Sequence, residues 1–195
     1  MKILYLNSNR CDYLQDIIYS GLVKALGAAN VHPIPFNRSY FLPIKTYPKN
    51  LGYHPGNLLR YVKNRLLRFT YDAVIVAAAK PGPFEVYAAL ATQIPAACPV
   101  AFLDGGDAPG IGGDLARAGH PRLYQEAVNK RPFDLVFKRE MLKNQQYAPH
   151  VHPCPFAFNL DKVNLSAKPK RKKYQVSFWA VESHPARKQA FALLQ

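Results

Sequence analysis

The chain has 195 residues and a formal net charge of +14, with 49% hydrophobic residues, which excludes a disordered chain and favours anionic partners. No apolar run approaches the ~20 residues needed to span a bilayer, and the start, residues 1–7, is too short and too soon polar for a signal peptide, so a cytoplasmic protein is expected. Cys11, Cys98 and Cys154 are odd in number and far apart, which fits reduced structural thiols and no zinc spacing.

Residues 2–6 form a short apolar run that predicts a first strand, and residues 7–12 are polar and turn-forming. Leu14, Ile17, Ile18, Gly21, Leu22, Ala25 and Leu26 then recur at three- and four-residue spacings, which predicts a helix. Asp12 or a neighbour is the expected cap and Gly27 the expected stop. Residues 31–36 predict a second strand, with Pro33 and Pro35 suited to an edge. A long loop is expected over 37–56 and a basic helix over 57–69. Residues 71–77 are the clearest strand, broken by Lys80-Pro81-Gly82-Pro83. A helix over 84–93, a strand over 99–103, a glycine-rich loop over 105–119, a helix over 121–130 and a strand over 134–137 follow. Residues 151–158 read as extended. Alternating strands and helices predict an α/β fold, a Rossmann-like doubly wound sheet that is mainly parallel, with no readable strand order.

The expected division is a Rossmann-like domain over 1–158, a basic linker over 159–173, and a strand and helix over 174–195 that read as the start of a truncated second domain. Lys168, Lys170, Arg171, Lys172 and Lys173 in that linker suit either a solvated segment or an anionic lipid surface on the inner face of the membrane. Two buried strands end in charge: residues 99–103 run into Asp104-Gly105-Gly106-Asp107, and residues 134–137 into Lys138-Arg139-Glu140. Open α/β sheets bind ligands at the carboxyl ends of their strands, so these groups are expected around a common crevice. No G-x-G-x-x-G or P-loop pattern is present, and His120, His150 and His152 make no metal spacing, so no cofactor and no metal are expected.

Four stretches carry a family likeness: residues 2–10 with the helix after them, residues 102–107, residues 137–140 and residues 153–158. They resemble the amino-terminal half of GT-B glycosyltransferases, especially a bacterial group related to spore-maturation glycosyltransferases. Residues 173–179, with the helix containing Arg187, look like the entry to the second domain of that family. The resemblance implies two Rossmann-like domains, the first receiving a glycan, lipid-linked or protein acceptor and the second holding a nucleotide-sugar donor. A chain without most of the second domain is expected to be inactive alone.

On that reading Asp104 and Asp107 either orient acceptor hydroxyls or supply a general base, and the alternative is turn chemistry around Gly105-Gly106. Lys138 and Arg139 either hold an anionic group, with Glu140 orienting a base or hydroxyl, or form the salt-bridged start of a helix. Asn7, Asn9 and Arg10 in the first strand-to-helix loop are expected to touch the acceptor, and His184 to meet donor phosphate. The competing reading is a basic Rossmann-like module that binds nucleic acid or other anions without catalysis; against nucleic acid, no known motif appears and the carboxylates would repel a phosphate backbone.

Overall fold

Parallel strands covered on both faces need uninterrupted apolar runs, and the chain supplies them in β1 (Ile3–Leu6), β3 (Ala73–Val76), β4 (Val100–Asp104) and β5 (Leu135–Lys138). The computed structural model describes residues 1–66 and 70–155, together with 157, 161, 189, 192 and 193. With β2 (Val31–Ile34) and β6 (Val151–Pro153), these strands make a six-stranded, all-parallel sheet in the order β2-β1-β3-β4-β5-β6. Pro33 and Pro153 lie in the two edge strands, where a missing N–H leaves no ladder bond open.

Helix α1 (Tyr13–Leu26) is capped by Asp12, whose Oδ1 accepts from the Gln15 N–H at 3.1 Å. It ends at Gly27, which takes φ +82° and donates its N–H to the Val23 carbonyl at 2.9 Å. One core joins α1 to the sheet through Tyr5, Leu14, Tyr19, Val23, Val31 and Leu103. The other face buries Leu4, Leu6, Val76, Phe84, Tyr87 and Phe102 against α4 (Pro81–Leu90) and α6 (Leu123–Lys130). Covering both faces makes the sheet doubly wound.

Several boundaries differ from expectation. The loop over 37–56 contains a turn of helix, α2 (Arg38–Phe41), started by Asn37, whose Oδ1 accepts from the Ser39 N–H. Helix α3 spans Asn57–Leu66. Helix α4 begins at Pro81, three residues before the predicted start, because a helix has no partner for its first N–H groups and proline lacks one. The glycine-rich loop includes α5 (Gly113–Arg117). No helix follows Glu140; the chain turns there and runs to β6.

The chain divides into two compact units, Met1–Val163 and Asn164–Gln195. The basic run at 168–173, the predicted strand at 174–180 and His184 lie outside the described residues, as does the predicted helix at 185–194 apart from positions 189, 192 and 193, which are helical. Among the described residues no helix is long and apolar enough to cross a membrane.

Candidate functional site

The strand order places the reversal of winding between β1 and β3: the chain leaves β1 toward one edge of the sheet and β3 toward the other. Loops that diverge from two neighbouring strands open a crevice beyond their carboxyl ends. Here it is a hollow of about 620 Å³. The β1 loop contributes Asn7, Ser8, Asn9 and Arg10, and the β3 loop contributes Lys80 and the first residues of α4. His120, just past α5, and Pro35, just past β2, complete the lining.

Hydrogen bonds hold the β1 loop in shape. The Ser8 N–H donates to Gln15 Oε1 at 2.6 Å, and the Ser8 carbonyl accepts from Gln15 Nε2, Asn37 Nδ2 and Asn7 Nδ2. Ser8 Oγ accepts from the Arg10 N–H. Asn7 is fully buried, yet its Oδ1 has no hydrogen-bond partner among the described residues. Buried acceptors are rarely left unpaired, and Asn50 Oδ1 and Asn57 Oδ1 share this state, so the orphan belongs to the packing behind the loop and not to the surface of the hollow. The Lys80 ammonium, part of the lining, reaches Asp12 Oδ2 at 2.7 Å. The exposed Arg10 guanidinium makes no ion pair among the described residues. The lining therefore presents cations, amides and hydroxyls, and its neighbouring carboxylate is already partnered.

The acidic and basic groups after β4 and β5 share the same sheet edge, but they satisfy one another. Asp104 and Lys138 are register partners on adjacent strands, and their side chains are 1% and 0% exposed. Lys138 Nζ lies 3.3 Å from Asp104 Oδ2 and donates to the Ala108 carbonyl at 2.7 Å. Asp104 also accepts from the N–H groups of Gly106 and Gly112. Burial pushes its carboxyl above the ordinary range, against the pull of the Gly112 N–H and the Lys138 charge. This arrangement is the turn chemistry foreseen as the alternative for Asp104, and it keeps both side chains from solvent.

Asp107 is exposed and pairs with the Arg139 guanidinium, which also donates through Nε to Glu140 Oε1 at 3.1 Å. These three residues lie in turns, so the salt-bridged helix start expected at 138–140 is replaced by an ion-pair cluster over the β4 loop. Asp114 organises that loop by accepting from the N–H groups of Asp107 and Ala108. Gly112 takes φ +68° with the Tyr124 ring against its Cα, leaving no space for a side chain.

Of the predicted site residues, Asn7, Asn9 and Arg10 line the crevice, while Asp104, Asp107, Lys138, Arg139 and Glu140 build the adjoining loops. Lys80 and His120 were not among the expected ligand contacts. Lys80 stands three residues past the clearest strand, and that position was the available signal; His120 lies near the end of a glycine-rich loop and was weighed only as a metal ligand. Burial and the neighbouring Asp16 push the Cys11 thiol up to about 11, which disfavours the thiolate. Among the described residues no cluster of His, Cys, Asp and Glu is suited to hold a metal ion.

No known protein family, curated protein or solved structure matches this chain.

Proposed function

We propose that the chain is the acceptor-side domain of a sugar transferase that uses a nucleotide-sugar donor, and that the switch-point crevice receives the acceptor. The observation that carries this reading is the hollow at the reversal point of the sheet, lined by Asn7, Ser8, Asn9, Arg10, Lys80 and His120. An acceptor hydroxyl pairs with the exposed Asn9 amide, and an anionic group on the same molecule meets the exposed Arg10 guanidinium. The His120 imidazole is the group in the lining suited to take the acceptor's proton. The resemblance of residues 2–10, 102–107, 137–140 and 153–158 to GT-B enzymes supports the same assignment. The donor side falls to a second domain, with residues 174–195 as its entry.

Calorimetric titration of the chain with sugar phosphates, neutral oligosaccharides, nucleotide sugars and mixed-sequence RNA tests it. Binding of hydroxylated anions that Arg10→Ala weakens by about tenfold is expected. Salt-sensitive RNA binding with no response to any sugar would instead establish the anion-binding module without catalysis.

A further inference from the structure

Helix α3 faces the wrong way for a helix that serves only the core. At 100° per residue, Leu58, Leu59 and Val62 fall on one side and Asn57 and Tyr61 on the other. The amide side is the inward one. Asn57 is buried and donates through Nδ2 to the Tyr19 hydroxyl at 3.0 Å, while Tyr61 packs on Phe36, Phe41 and His32. The aliphatic side points outward: Leu59 is 79% exposed, Val62 49% and Leu58 38%. Lys63 borders this stripe next to Leu59, Arg60 lies further round the helix, and both are exposed.

The surrounding sequence is sharply segregated in charge. Between Asp16 and Asp72 there is no Asp or Glu, although this stretch carries eight of the chain's 26 Lys and Arg. Exposed Lys45 and Lys49 belong to it, beside the exposed ring of Tyr47. A short helix with outward leucines and a basic border, set in a stretch of sequence without Asp or Glu, matches what binds the headgroup boundary of an acidic bilayer. Nucleic acid fits less well, because its bases are gripped by aromatic rings and not by leucine and valine.

We infer that α3 is a membrane-docking element that seats Leu58, Leu59 and Val62 among the acyl chains of an anionic lipid surface while Arg60 and Lys63 engage the headgroups. The site uses none of the crevice residues, so it stands or falls independently of the sugar-transferase reading.

Co-sedimentation of the full chain with phosphatidylcholine vesicles, with and without phosphatidylglycerol, tests it. Expected is binding that requires phosphatidylglycerol and weakens as salt rises. The double variant Leu59→Gln/Val62→Gln should lower vesicle affinity by about tenfold with little change in the thermal unfolding midpoint, since neither side chain belongs to the core. Arg60→Glu/Lys63→Glu should lower it at least as far at low salt. Absence of binding, or binding untouched by both variants, overturns the inference. So does a fall in self-association in place of vesicle binding, which would assign the stripe to a second copy of the chain. RNA binding that is lost in Arg60→Glu/Lys63→Glu but intact in Leu59→Gln/Val62→Gln, with no vesicle binding, overturns it in favour of nucleic acid.

Discussion

Two buried carboxylates set the residue-scale behaviour. Asp104 neutralises a lysine that has no access to water, so Asp104→Ala leaves the Lys138 charge stranded in the interior. Breaking a buried pair this way costs about 3–5 kcal/mol, whereas replacing both partners with apolar groups costs far less. Urea unfolding of Asp104→Ala, Lys138→Met and the double variant Asp104→Leu/Lys138→Met is expected to show that non-additivity; additive losses would mean that the pair is not coupled. Asp16 is buried against the Tyr40 hydroxyl at 2.8 Å, and burial, the largest influence, raises its carboxyl above the ordinary value despite the hydrogen bonds from Gln15 and Tyr40. The folded state thus holds this proton more tightly than the unfolded chain does. The stability linked to Asp16 is complete below the ordinary aspartate value of about 4 and is lost as pH rises through the raised value. Asp16→Asn removes the titration. The stability of wild type relative to Asp16→Asn should therefore fall on going from pH 4 toward neutrality, about 4 being the unperturbed aspartate value; parallel stability curves would contradict it.

At the scale of elements, Asp12 links a helix end to the crevice. One oxygen caps α1 and the other holds the Lys80 ammonium. Asparagine caps a helix about as well as aspartate but carries no charge. Asp12→Asn should therefore leave the unfolding midpoint nearly unchanged and tighten binding of sugar phosphates about threefold to tenfold, because Lys80 becomes available to the ligand. Asp12→Ala should lose about 1 kcal/mol of stability as well. A calorimetric titration showing no gain in Asp12→Asn would place the ligand away from Lys80. The cap was legible in the sequence, since aspartate just ahead of a 3.6-residue apolar rhythm has a local physical cause. The start of α4 was harder to read: prolines 81 and 83 break a strand and open a helix by the same lack of an N–H. Helix α2 and helix α5 are too short to show a period at all.

For the whole molecule, the layered α/β architecture was readable because strands buried on both faces leave continuous apolar runs, as in residues 71–77. Strand order leaves no such mark, because it depends on which way each crossover turns. Without it the crevice between β1 and β3 had no location, and Lys80 and His120 had no reason to be grouped with Asn7 and Arg10. The same gap made Asp104 and Lys138 look like separate ligand contacts, when the parallel register of β4 and β5 sets them side by side in the interior. On the function proposed above, ligand chemistry belongs to the reversal point of the sheet and not to the charged tips of β4 and β5. Amide chemical-shift mapping of the isotope-labelled chain during titration with a sugar phosphate tests this most directly. The largest changes are expected at Ser8, Arg10, Lys80, Gly82 and His120; changes centred on Gly106, Asp107 and Arg139, with the β1 loop silent, would contradict it.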